Sequence, residues 1–177
     1  MRVISGNLRG RRFQPPAKIP ARPTTDIAKE GLFNILSNRI DLANTSFLDL
    51  FGGIGSISYE MGSRGCSDML LVEKDPKSAA FIRKQAEEFG LDLQVMQMDV
   101  FEYIRSASAS YSLIFAGPPY GLPNLDKIPD LIMEKGLLAS GGWLILEHNP
   151  NHHFDEHPNL KMKRNYGTTI FSIFEMP

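Results

Sequence analysis

Residues 46–56 read "SFLDLFGGIGS", and this stretch decides the fold. "SFLDLF" is a short apolar run of the kind that forms a strand buried on both faces, and it stops at Gly52, Gly53 and Gly55. Glycines between a strand and a following helix permit a tight turn and let a ligand approach the backbone closely. Ser58 stands where a G-x-G-x-x-G pattern needs its third glycine, and the Gly-Lys-Ser/Thr of a phosphate loop is absent. Dinucleotides and triphosphates are therefore disfavoured as ligands of this turn.

On both sides of that stretch strands and helices alternate. "DMLLVE" (68–73), "LQVMQMD" (93–99), "YSLIFAG" (111–117) and "GGWLILEH" (141–148) have the apolar, β-branched and aromatic content of strands. Helices are expected over 56–64, from Pro76 to the residue before Gly90, over 100–108 and over 125–135. Asp75 as cap, Pro76 at the first helical position and Gly90 beyond the end bound the second of these. Upstream, "TTDIAKEGLFNIL" (24–36) opens a helix capped by Thr25 or Asp26, with Ile27, Gly31, Leu32, Ile35 and Leu36 on one face. The last segment, "LKMKRNYGTTIFSIFE" (160–175), holds two strand-like runs separated by "NYG", an antiparallel hairpin. The class is α/β: a mostly parallel, Rossmann-like sheet covered on both faces, whose ligands sit beyond the carboxyl ends of its strands.

Acidic residues mark those ends. Glu73 closes its strand 20 residues after Gly53, the spacing at which a carboxylate reaches ribose hydroxyls, and Asp99 closes the next strand within reach of an adenine amino group. A glycine turn with two strand-end acids suits an adenosine ligand without phosphates. S-adenosylmethionine is the candidate cofactor, its amino group drawn to Asp49.

A second turn carries the acceptor chemistry. "IFAGPPYG" (114–121) ends an apolar strand in Pro118-Pro119-Tyr120, which resembles the active-site turn of enzymes that methylate an amino group on a nucleobase. An exocyclic amine on a nucleobase is a poor nucleophile because its lone pair is delocalised into the ring. A side-chain acceptor and the Pro118 carbonyl can hold both N–H groups so that the lone pair faces a methyl donor, while Tyr120 stacks on the base. Gly117 provides no side-chain acceptor. Losing a hydrogen bond to a charged group costs ~1.5–3 kcal/mol, roughly ten- to a hundredfold in rate, so activity is expected to be impaired.

The chain has 177 residues, room for one core, and 42% hydrophobic with 22% charged residues describes an ordinary globular protein. No apolar run approaches a membrane span and no signal-peptide core opens the chain, so a cytoplasmic protein is expected. The single cysteine, Cys66, excludes an internal disulfide framework and reads as a small core residue. Net charge is −1, yet residues 1–25 carry Arg2, Arg9, Arg11, Arg12, Lys18 and Arg22 and no acid. A basic arm on an acidic body implies a polyanionic partner. Val3, Ile4, Leu8 and Phe13 interleave with the arginines and Gly10 offers a turn, so the arm reads as short β-structure. "PPAKIPARP" (15–23) reads as an extended connector, which divides the chain into a basic arm, 1–23, and a body, 24–177.

Together "RVISGNLRGRRF", "RPTTDIAKEGLFNIL", "LDLFGGIGS", "LVEKD", "MDV", "IFAGPPY" and "NYGTTIFSIF" resemble the RsmD-type bacterial ribosomal RNA guanine-N2 methyltransferases over nearly the whole chain. The resemblance implies a seven-stranded sheet with an antiparallel final hairpin, S-adenosylmethionine as donor, and a guanine of small-subunit ribosomal RNA as acceptor. It assigns cofactor binding to Asp49, Phe51, Gly53, Gly55, Glu73 and Asp99, and the acceptor turn to Gly117, Pro118, Pro119 and Tyr120. It assigns RNA contact to Arg2, Arg9, Arg11, Arg12, Arg22 and Thr25, with the small ribosomal subunit or its RNA as partner of a monomeric protein. Gly117 departs from the family pattern, which has an acid there. Two other readings follow: a non-catalytic cofactor- and RNA-binding assembly factor, motivated by Gly117, and a DNA adenine amino-methyltransferase, which shares the Pro-Pro-Tyr turn but needs a target-recognition domain for which the chain has no length. His148, His152, His153 and His157 fall in "HNPNHHFDEHP", where Pro150, Asn151 and Pro158 argue for a surface loop, with no metal. Lys161, Lys163 and Arg164 either extend the RNA-facing charge or keep an edge strand soluble.

Overall fold

The computed structural model describes every residue except Ala21, which falls in the expected connector. The strands are β1 (Ser46–Leu50), β2 (Asp68–Glu73), β3 (Leu93–Gln97), β4 (Tyr111–Ala116), β5 (Leu138–His148), β6 (Leu160–Tyr166) and β7 (Thr169–Glu175). Among the described residues, five α-helices separate or precede them: α1 (Asp26–Arg39), α2 (Ser56–Ser63), α3 (Pro76–Glu88), α4 (Val100–Ser106) and α5 (Ile128–Lys135). The strands form one seven-stranded sheet in the order β3-β2-β1-β4-β5-β7-β6. β1 to β5 run parallel, and β7 pairs antiparallel with both β5 and β6. The order reverses between β1 and β4, so their carboxyl ends flank the crevice where this class of sheet binds ligands. No helix among the described residues is long and apolar enough to cross a membrane.

The buried strands are the apolar runs of the sequence, β1 and β4 above all, with Leu48, Leu50, Ile114 and Ala116 fully enclosed. One helical layer packs Val100, Tyr103, Ile128 and Ile132 on the sheet; the other packs Leu32, Phe33, Leu36 and Met61. Cys66 is buried in the second layer. Asp75 caps α3, accepting from the Ser78 N–H at 2.8 Å, and Thr25 caps α1 through the Ala28 N–H at 3.2 Å.

Several local expectations need correction; α4 ends at Ser106 and β5 begins at Leu138. The face α1 buries is Ala28, Lys29, Leu32, Phe33 and Leu36, while Ile27 is 75% exposed. Lys29 enters the core because Glu60 waits there, a reason that hydrophobic periodicity does not contain. Asn165 and Tyr166 belong to β6, leaving Gly167 (φ 63°) and Thr168 as the two-residue turn. Leu125–Lys127 form a 3₁₀ turn, and α5 starts at Ile128 with Pro129 in its first turn. His148 ends β5, 1% exposed, with Nε2 2.7 Å from the Ser172 Oγ, so it belongs to the sheet and not to a surface loop.

The basic arm folds back on itself and docks on the body. Arg2 bridges antiparallel to Arg12, and Gly10 (φ 81°) turns the chain between them. Val3 and Phe13 point inward against Tyr59, Ile82 and Phe89. Gly6 lies so close to α2 that a Cβ there would collide with the Ser63 carbonyl. Under the arm, Glu60 accepts from the N–H groups of Ile4 (2.9 Å) and Ser5 (3.0 Å) and from Arg64. Lys29 Nζ lies 3.7 Å from Glu60 and donates to the Arg2 carbonyl (2.7 Å) and to Ser56 Oγ (3.1 Å). A buried ion pair thus anchors the arm through its backbone, leaving the arginine side chains outside. The connector is not extended throughout: it turns at Ala17 and Lys18, closed by the Ile19 N–H donating to the Pro16 carbonyl.

Candidate active site

A cavity of about 350 Å³ opens at the carboxyl ends of β1, β2, β4 and β5, within the size range of small-molecule sites. The glycine turn after β1 and the Pro-Pro-Tyr turn after β4 line the same chamber, with Asp49, Phe51, Gly53, Glu73 and Asp99 at one end and Gly117 to Tyr120 at the other. Gly55 stands behind the turn as the αL residue (φ 84°) that starts α2. A Cβ on it would meet the Tyr59 ring at 2.5 Å, so glycine is demanded twice there, by φ and by space. Phe51 also adopts a positive φ, 61°, unusual for an aromatic residue, so its backbone is held in place by its surroundings on the cavity wall.

Asp49 is 2% exposed, and its Oδ2 accepts from Ser58 Oγ at 2.6 Å. The serine that breaks the glycine pattern thus holds the carboxylate. Burial, reinforced by the charge of Glu73 and opposed by the Ser58 hydrogen bond, pushes the Asp49 carboxyl up to about 7. A buried carboxylate on the cavity wall, with no cationic partner among the described residues, is suited to receive an ammonium group. Glu73 Oε2 accepts from the Gly53 N–H at 2.7 Å and Oε1 from the Asp75 N–H at 2.9 Å. It therefore braces the turn and retains lone pairs for ligand hydroxyls. Asp99 caps α4 through the N–H groups of Phe101 (2.9 Å) and Glu102 (3.2 Å), and its second oxygen is spare. These donors and acceptors fit an adenosine carrying an amino-acid tail: hydroxyl acceptors, a carboxylate for an ammonium, and no phosphate cradle.

At the acceptor end the Gly117 N–H donates to the Leu50 carbonyl at 3.2 Å, tying the two turns together. Pro118 is buried, Pro119 exposed and Tyr120 half-buried. Arg22 stacks its guanidinium 4.1 Å from the Tyr120 ring centre and lines the chamber. Thr25 does not line it: its hydroxyl is spent on the helix cap, and Thr24 lines the wall instead. Arg2 pairs with Asp26 at 3.1 Å and Arg11 lies over the Phe89 ring, whereas Arg9 and Arg12 extend into solvent. Lys161 and Lys163 are paired with Glu175 (2.7 Å) and Asp155 (3.0 Å).

Sequence reasoning missed two groups. Glu147, 6% exposed at the end of β5, accepts from the Tyr120 hydroxyl at 2.8 Å and from Thr24 Oγ1 at 2.6 Å and lines the chamber. The strand-end rule applied to Glu73 and Asp99 could have found it, since "WLILEH" is an apolar strand closed by an acid. Burial raises its carboxyl, and the hydroxyls of Thr24 and Tyr120 with the Arg22 charge pull it back. Burial and the neighbouring Glu147 push the Tyr120 phenol up to about 12. His152, expected in a free loop, donates from Nε2 to the Tyr120 carbonyl at 2.9 Å and sets Nδ1 2.7 Å from Asp126, pinning the acceptor turn from outside.

The family model described as conserved hypothetical protein 95 matches residues 1–175. The chain belongs to this family. The YlbH protein of Bacillus subtilis is 31% identical over 183 residues, covering 99% of this chain and 98% of that one. Ribosomal RNA small subunit methyltransferase D of Escherichia coli K12 is 28% identical over 148 residues, 83% of this chain and 74% of that one. Among solved structures, a hypothetical protein of Thermus thermophilus, TTHA0928, superposes with a TM-score of 0.88 at 27% identity, covering 99% of both chains. The match extends through the arm, so the docked basic hairpin falls inside the family's span.

Proposed function

We propose that this protein transfers a methyl group from S-adenosylmethionine to the exocyclic N2 amino group of a guanine in small-subunit ribosomal RNA, acting as a cytoplasmic monomer. The observation that carries this reading is the single chamber joining the glycine turn to the Pro-Pro-Tyr turn, which brings a donor pocket and a base pocket face to face. Membership of a family that includes a ribosomal RNA small subunit methyltransferase supplies the substrate class.

Bound S-adenosylmethionine supplies an electrophilic methyl group on a cationic sulfur. Asp49 would hold its ammonium, Glu73 and Asp99 its adenosine, and Gly53 its close contact with the backbone. The Pro118 carbonyl accepts one N–H of the target amine and Tyr120 stacks on the base, itself oriented by Glu147 and Arg22. The guanine leaves its stack to reach this chamber, as base-modifying enzymes require. Arg9 and Arg12 on the docked arm, with Arg22 at the rim, meet the phosphate backbone. The test is transfer of tritiated methyl from S-adenosylmethionine to small subunits lacking the modification, with large subunits and adenine-rich DNA as controls. Label confined to small-subunit guanine N2 is expected; label on DNA adenine, or none with the cofactor bound, refutes the reading.

A further inference from the structure

The reading of the site as an amine methyltransferase leaves Gly117 without an acceptor for the second amine N–H. We propose that Glu147, reaching in from the neighbouring strand, is the catalytic residue that accepts this N–H and then takes its proton; the proposal rests on the reading above. β4 and β5 are parallel and in register through Ala116 and Leu146, so Gly117 and Glu147 follow one residue later at the same level. In a parallel pair, residues at one level project to the same face of the sheet. A Cβ built on Gly117 would stand 3.8 Å from Glu147 Oε2, in van der Waals contact with it. The Glu147 carboxylate thus occupies the neighbourhood that a short acidic side chain on residue 117 would fill, and glycine leaves room for it.

The carboxylate is held for the task. Thr24 Oγ1 fixes Oε2 at 2.6 Å and the Tyr120 hydroxyl fixes Oε1 at 2.8 Å, and each oxygen keeps a second lone pair. Its anchors come from the arm-body junction and from the base-stacking residue, so the acceptor is positioned by the parts that would frame the base. In the reaction, the amine lone pair forms the N–C bond to the methyl group while the C–S bond breaks and its electron pair returns to sulfur. The positive charge left on nitrogen is relieved when the N–H facing Glu147 gives its proton to the carboxylate, which releases it to water.

The experiment is a double-mutant cycle on Glu147→Ala and Gly117→Asp, read by single-turnover methyl transfer to unmodified small subunits. A second readout is binding of guanosine against inosine, which lacks the amino group, in the presence of S-adenosylhomocysteine. Glu147→Ala should lower the transfer rate about 10- to 100-fold, reduce the preference for guanosine over inosine to what the Pro118 carbonyl alone provides, and leave S-adenosylhomocysteine affinity within about twofold. Gly117→Asp alone should gain nothing, because an acceptor is already present and two carboxylates in contact repel. In the Glu147→Ala background it should recover at least tenfold, a restoration that lost packing could not show; Phe115, 3.0 Å from the new Cβ, has to yield slightly. Glu147→Gln, which keeps an acceptor oxygen, should retain the guanosine preference. An unchanged rate and preference in Glu147→Ala, or no recovery in the double variant, overturns the proposal. If the unsubstituted protein is inactive the proposal also fails: activity in Gly117→Asp then leaves the ribosomal RNA reading standing, and inactivity in both removes that reading as well.

Discussion

Asp49 makes cofactor binding depend on pH in a way that can be worked out before any measurement. In the ligand-free protein its carboxyl sits at about 7, raised by burial from an ordinary value of 3.8. An ammonium ligand requires the ionised form, so the apparent Kd is the intrinsic one multiplied by 1 + 10^(7 − pH). The factor is about 11 at pH 6 and about 2 at pH 7, hence an affinity gain of about fivefold across that interval. Near pH 8 the gain flattens, because the ligand α-amino group begins to lose its own proton at about 7.7–8.0. At pH 7 binding expels about 0.5 proton from Asp49, reduced to about 0.4 by uptake on the ligand amine. Calorimetric titration at pH 6, 7 and 8, in buffers of different ionisation enthalpy, measures both quantities.

The same group acts on stability with the opposite sense. Between about pH 4 and 7 the folded protein holds a proton that the unfolded chain has released, so the Asp49 contribution to stability falls as pH rises through that window. The displacement from 3.8 to about 7 corresponds to about 4 kcal/mol, incurred in full above pH 7. Asp49→Asn should therefore raise the melting temperature of the ligand-free protein more at pH 8 than at pH 5 while weakening cofactor binding and removing its pH slope. A Kd that is the same at pH 6 and 7, with no proton released, would refute the assignment of Asp49 to the ammonium.

Two further outcomes are expected. Lys29→Met should destabilise the protein by about 3 kcal/mol, the low end for breaking a buried pair because Glu60 keeps Arg64 and two backbone N–H groups. It should also speed amide exchange in residues 3–13; urea unfolding and hydrogen exchange test this, and a loss below about 1 kcal/mol would show that the ion pair does not anchor the arm. Replacing Arg9 and Arg12 by alanine should weaken RNA binding at every sequence and lower the salt slope by about 1.4–1.8, with cofactor affinity unchanged. An unaltered slope would show that the arm does not touch phosphate.

The α/β class, the positions of the strands and most helix boundaries were legible because they rest on local chemistry. An apolar run closed by glycines, or an Asp-Pro start with a glycine stop, acts within one turn of chain. The acids at one end of the chamber were legible for the same reason: Asp49, Glu73 and Asp99 line the cavity where strands end, and a strand end can be read from a pattern. Ile27 shows the limit of such patterns. It shares the apolar character of the α1 stripe, yet the helix rotates to bury Lys29, because a carboxylate 31 residues further on compensates that charge.

By itself, then, the sequence determined the order of elements, the acidic ends of the strands and the basic character of the arm, all properties of residues near one another in the chain. Tertiary structure alone decided what fills the acceptor end. Thr24 and Glu147 are 123 residues apart in sequence and 2.6 Å apart in space, and Gly117 gains a carboxylate neighbour only because β5 pairs with β4 in one particular register. Strand register is a cooperative outcome of packing across the whole sheet. From the sequence Gly117 read as a missing acceptor, and in the folded molecule it is the gap through which Glu147 reaches the chamber.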